Sequence, residues 1–135
     1  MSDQTSAAEG RVPNGELSIR TIAMPADTNP AGDIFGGWVL AQMDVAGGIV
    51  ARGVAGGRVA TVAVDAMTFH LPVFVGDVVC CYGAVKRIGR TSVSIHVETW
   101  ALRDGQGTRE LVTEGVFTYV ALGPDRRPRE IERSG

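Results

Sequence analysis

The residues best placed to do chemistry are Asp44 and the glycine pair Gly36-Gly37 just before it. From Trp38 to Val50 nearly every residue is apolar or small, so Asp44 reads as a carboxylate on a helix buried on most sides. An unpaired ionised group there would cost several kcal/mol, and a chain that keeps one usually uses it. Gly36 and Gly37 fall where a Gly-rich loop meets the helix start. Backbone N–H groups at that point have no intrahelical acceptor and face the positive end of the dipole, so they can hold an oxyanion. Glycine lets a substrate carbonyl approach the backbone, and removing one such donor typically costs roughly 10²–10³ in rate. Asp44 follows Gly37 by two turns, on about the same face, which puts a carbonyl held at the helix start within reach of the carboxylate, directly or through one water. The plainer readings stand beside this one: Gly-Gly as a turn, and Asp44 as a structural carboxylate paired with Arg52, Arg58 or a neighbouring subunit.

Asn29 offers an amide that would orient water or a carbonyl, or else caps the turn at Pro30-Ala31. Asp27 and Asp33 read as turn carboxylates. His70 ends a strand and His96 lies on the polar face of another, neither with partners at metal-ligand spacing, so no metal site is expected. Cys80 and Cys81 point to opposite faces of a strand, are not placed to bridge each other, and read as reduced core residues. The mid-helix pair Gly47-Gly48 gives up about 1 kcal/mol of helix propensity per residue, which close packing against a sheet or a second helix would explain. The run Gly32 to Gly37 lacks the dinucleotide-binding glycine pattern.

These residues need elements to position them. Residues 1–14 and 123–135 read as tails, the second charged, with Arg126, Arg127, Arg129 and Arg133, and residues 15–122 as one folded domain. Within it the expected order is a strand over 16–23, a helix over 37–52, and strands over 58–69, 77–87, 91–101 and 109–122. The strands alternate apolar and polar residues, as in Val93, Ile95 and Val97 against Ser92, Ser94, His96 and Glu98. Gly89-Arg90 marks a tight hairpin, and 104–107 separate the last two strands. That order predicts an α+β fold, an antiparallel sheet with one face covered by one long helix. The exposed sheet edge then calls for a self-complementary dimer.

The 135 residues carry a formal net charge of -2 with mixed signs, which gives no basic stripe for nucleic acid and no cationic face for lipid. No run approaches the ~20 apolar residues of a membrane span, and the amino terminus has no apolar signal segment. A reduced, cytoplasmic protein is expected.

The blocks Thr21 to Trp38, Gln42-Met-Asp44, Met67-Thr-Phe69, Val75 to Cys80 and Gly89 to Ser94 together resemble the hotdog-fold acyl-CoA thioesterases, in particular their broad-specificity bacterial cytosolic branch. The resemblance runs from about Gly15 to Pro128. It implies a five- to six-stranded sheet wrapped around one central helix, dimers with active sites at their interface, and often a trimer of dimers. It implies hydrolysis of short- to medium-chain acyl-CoA, extending to long chains, with no cofactor beyond the coenzyme A of the substrate. By motif position Asp44 matches the catalytic carboxylate, as general base or nucleophile, Asn29 its polar partner and Gly37 the amide that polarises the thioester carbonyl. Gly36, Thr68, Phe69, Gly89, Arg90, Thr91 and Ser92 fall in segments that line the substrate path in similar proteins. One departure is His70-Leu71, where many relatives carry a basic residue, so no phosphate contact is carried over to that position. Two further classes stand beside this reading: a non-catalytic acyl-CoA-binding or regulatory module, and a dehydratase or hydratase, which would want a histidine beside the helix.

Overall fold

The computed structural model describes residues 10–103 and 108–132. Strand β1 (Glu16–Ile22) leads through a short 3-10 turn (Pro25–Asp27) and the Gly-rich loop into helix α1 (Gly36–Ala55). Strands β2 (Val59–Phe69), β3 (Val78–Ile88), β4 (Ser92–Leu102) and β5 (Arg109–Ala121) follow. The expected elements are all present. The helix runs three residues further than 52, because Gly53 continues the ladder and termination waits for Gly56, whose N–H reaches the Arg52 carbonyl at 2.9 Å. The turn expected at 104–107 lies outside the described residues.

The five strands form one antiparallel sheet in the order β1-β3-β4-β5-β2, and α1 packs against all five. Helical period decides which residues meet the sheet: Val39, Met43, Ala46, Gly47, Ala51 and Ala55 are buried, and the small ones let the helix sit close. Strand period supplies the other half of the core, with Val93, Ile95 and Val97 on β4 and Phe117, Tyr119 and Ala121 on β5 facing the helix. Both cysteines are free and buried.

The opposite sheet face is not simply polar and solvated. Residues 10–15 cross it, and Arg11 reaches Glu98 at 2.7 Å and Glu114 at 3.1 Å. This crossing buries Glu98 to 1% and Trp100 to 2% exposure. Gly15 makes the crossing possible, because at its φ of +104° a Cβ would run into the Gly83 carbonyl of β3. Part of the segment expected as a charged tail is likewise docked. Leu122 pairs with Pro128, the Arg129 guanidinium donates to the Ala55 carbonyl at the helix end (2.8 Å), and Ile131 is buried with its N–H on the Arg90 carbonyl (2.8 Å). The signal missed in the sequence is the lone Ile131 among the charges.

β2 is an edge strand, and Val62 (59% exposed) and Val64 (40%) stand out from it while Val45 (55%) and Ile49 (47%) stand out from the helix. Large apolar side chains exposed together on a strand edge and a neighbouring helix mark an association surface.

Candidate active site

The helix start and the loop before it form one end of the site. The Trp38 and Val39 N–H groups already bond the Phe35 carbonyl, so the amides of Gly36 and Gly37 are the ones with no acceptor earlier in the helix. A Cβ on Gly36 would sit 3.4 Å from the Phe69 ring, while one on Gly37 would meet nothing within 4 Å. Gly37 is therefore open, with the Phe69 ring next to the preceding residue. Beside it lies a cleft of about 320 Å³ lined by Asn29, Asp33, Gly36, Phe69, Leu71 and Thr113, among others. The Asn29 side-chain carbonyl accepts from the Ala31 and Asp33 N–H groups at 2.9 and 3.1 Å. Its turn role is thus real, and it spends the oxygen of the amide on the loop, leaving the NH₂ as the donor that faces other partners.

Asp44 is half-buried rather than enclosed, because the helix face it shares with Val45 and Ile49 lies open within one chain. Its partner is not Arg52 or Arg58: the Thr61 hydroxyl of β2 donates to Oδ1 at 2.6 Å. Beneath it, the Tyr119 hydroxyl donates to the Asp44 backbone carbonyl at 2.7 Å. The segment of β2 from Thr61 to Phe69 thus serves both ends of the site, with Thr61 on the carboxylate and Phe69 by the open amides. The sequence offered no signal for Thr61, since threonine is common in strands. Tyr119 had one, the Gly47-Gly48 pair.

Gly89, Arg90, Thr91 and Ser92 form the β3–β4 hairpin turn, with the Gly89 N–H on the Ser92 carbonyl at 2.7 Å. In the sheet register Ser92 lies opposite Val120, whereas Phe69 lies opposite Thr113. Seven residues of strand separate those positions, roughly 23 Å. Within one chain the structure therefore gathers Asn29, Gly36 and Phe69 around the cleft at the helix start, with Gly37 next along the helix. Thr68 precedes Phe69 on β2 opposite Glu114 and is not part of the cleft lining, and the hairpin turn is left at the other end of the sheet.

His70 also lines the cleft at the helix start, but its ring nitrogen is engaged on Glu114. Its Nε2 lies 2.8 Å from Glu114 on the outer sheet face, and His96 Nε2 lies 3.2 Å from the same carboxylate. The fold thus assembles ligand-type residues that showed no metal spacing along the chain, and one ligand atom each from His96, Glu98 and Glu114 fall within 4.8 Å of one another. The Arg11 guanidinium already supplies the cation between the two glutamates. Hydrogen bonding from Arg11, with His70 and His96 adding to it, holds the Glu114 carboxyl down at about 2, against burial. On the inner side, burial pushes the Cys81 thiol up to about 11, which keeps it an inert core residue.

A helix carboxylate, open helix-start amides and an antiparallel sheet around one helix define a class of protein. Residues 31–108 match the family model described as the thioesterase superfamily, and the chain belongs to that family. It is 52% identical over 126 residues to the acyl-CoA thioester hydrolase YciA of Salmonella typhimurium, covering 91% of this chain and 95% of that one. Among solved structures it is similar to HI0827, described as a hexameric broad specificity acyl-coenzyme A thioesterase, at 50% identity and a TM-score of 0.86 over 94% of this chain and 88% of the other. HI0827 has also been solved as an Asp→Ala mutant enzyme. The hexameric thioesterase y2039 from Yersinia pestis matches at 53% identity and a TM-score of 0.87, over 91% of this chain and all of the other (100%). The fold is the hotdog arrangement the sequence led one to expect.

Proposed function

We propose that this chain hydrolyses acyl-CoA thioesters to a free carboxylate and coenzyme A, with Asp44 as general base. The observation that carries the reading is Asp44 itself, held by Thr61 on the helix whose first amides stand open. Water gives a proton to the Asp44 carboxylate as its oxygen adds to the thioester carbon. The oxyanion that forms is held by the Gly37 N–H, with the Asn29 amide as a second donor. Collapse breaks the carbon–sulfur bond, and the leaving thiolate takes the proton back. Thr61 occupies Oδ1, so the second carboxylate oxygen handles the water. The resemblance also allows Asp44 to attack the carbonyl itself, forming a mixed anhydride that water then opens.

The site is completed by a second copy of the chain. Val45 and Ile49 on α1 flank Asp44 along the helix and Val62 follows its partner Thr61 on β2, all exposed, and covering them would dry the carboxylate and strengthen every charge interaction there. The similar proteins of known structure are described as hexameric, which supports a trimer of such dimers here. In that assembly a hairpin turn at Gly89–Ser92 from a neighbour can serve the nucleotide end of the substrate. Among the described residues no helix is long and apolar enough to cross a membrane, and a cytoplasmic location fits the reduced cysteines.

The test is thiol release from a panel of short-, medium- and long-chain acyl-CoAs. Asp44→Asn should lower kcat by about 10²–10⁴ with the fold intact. Wild-type rates in that variant would end the assignment. A single turnover in ¹⁸O-water, followed by mass analysis of the Asp44 peptide, tests the second role: label in the carboxylate side chain shows that the anhydride forms and that water opens it at the Asp44 carbonyl.

A further inference from the structure

Gly47 lies three residues beyond Asp44, on the face of α1 that meets the sheet. Across from it stands Tyr119 of β5, 1% exposed, its ring stacked on Phe117 with centroids 6.5 Å apart and planes 18° from parallel. A Cβ at position 47 would collide with the Tyr119 hydroxyl and come within 3.2 Å of its Cε1 and 3.1 Å of Val97 Cγ2. The missing side chain is therefore what lets a hydroxyl reach the helix backbone. The atom it reaches is the carbonyl oxygen of Asp44, at 2.7 Å.

Close packing alone does not explain this arrangement, because a phenylalanine ring would fill the same space with no polar atom to satisfy. Burial and the nearby Asp44 charge push the Tyr119 phenol far above its ordinary pKa, so it remains a donor across the working pH range. With Thr61 on the carboxylate and Tyr119 on the carbonyl, Asp44 is held at both its side chain and its backbone, from two different strands.

We propose that Tyr119 is a positioning residue for the reaction: its hydroxyl fixes the height and rotation of α1 at residue 44, so that the Asp44 carboxylate meets the attacking water. The inference rests on Asp44 being the catalytic group. A misplaced base slows the chemical step without loosening the substrate, so the effect falls on kcat rather than KM.

The experiment is steady-state thiol release from butyryl-CoA by the full-length assembled protein. Tyr119→Phe keeps the ring and removes only the hydroxyl; kcat should fall about five- to tenfold with KM unchanged. Gly47→Ala, which pushes the phenol off the backbone, should give the same loss. Ile95→Val, a buried trimming on β4, serves as the control: it should lower Tm comparably while kcat stays at the wild-type value. Wild-type kcat in Tyr119→Phe overturns the proposal, and so does an equal loss in Ile95→Val, which would show that kcat merely follows stability. Asp44→Asn run in parallel keeps the two ideas apart. If it is fully active, the base assignment fails; if it is inactive while Tyr119→Phe is normal, only the positioning role fails.

Discussion

At the scale of single residues, two contacts carry consequences that a test can reach. The Thr61 hydroxyl donates to an ionised oxygen, and a hydrogen bond to a charged group contributes about 1.5–3 kcal/mol. Thr61→Val should accordingly lower kcat by about tenfold or more while Tm moves little, since Thr61 is exposed within its own chain. Unchanged turnover would mean the carboxylate is held some other way. On the far face of the sheet, Glu114 titrates at about 2 in the folded chain against an ordinary 4.5. A carboxyl whose value is lowered on folding stabilises fully above its unfolded value and loses that contribution as pH falls toward the folded one. Thermal melts should therefore show the stability gap between wild type and Glu114→Gln present above pH 4.5 and closing between there and about pH 2. A gap independent of pH would show that Glu114 stabilises by packing instead of by charge.

At the scale of elements, helix α1 is made to sit low on the sheet, and the C-terminal segment locks it there. Ala46, Gly47, Ala51 and Ala55 keep the contact face thin, and the Arg129 guanidinium caps the last turn at Ala55. Ile131, 7% exposed, anchors that return. Ile131→Ala removes buried methyl groups and should cost about 2–4 kcal/mol, seen by calorimetry as a Tm lower by several degrees. A Tm within a degree of wild type would mean that residues 123–132 add nothing to the folded unit. The edge strand β2 has the opposite character. Its two faces are mostly exposed, and a bulge between Asp65 and Thr68, with Ala66 at φ +51°, precedes Phe69 beside the helix start.

At the scale of the whole molecule, that exposure reads as a surface awaiting a second copy. Unpaired strand edges with apolar side chains associate unless charges block them. Val62→Asp combined with Val64→Asp should leave the chain folded by circular dichroism, shift sedimentation to the monomer and remove most of the thiol release. Assembly and turnover both surviving the two charges would place the interface elsewhere. Loss of assembly with full activity would show that one chain suffices.

The order of elements was legible from the sequence, because it rests on local periods: 3.6 along residues 36–55 and two along each strand. The pairing of a glycine-start helix with one carboxylate two turns on was legible for the same reason, since both lie on one element and spacing sets their geometry. What lies between elements was not. That Asp44 is held by Thr61, that Tyr119 reaches its backbone through the gap at Gly47, and that His70 and His96 meet at Glu114 depend on sheet register and on how low the helix sits. The docking of residues 10–15 and 123–132 belongs with them, because side chains of Arg11 and Ile131 find partners far away along the chain. Contacts of that kind are fixed by burial and by the need to pair charges in three dimensions, and local sequence carries no period for them.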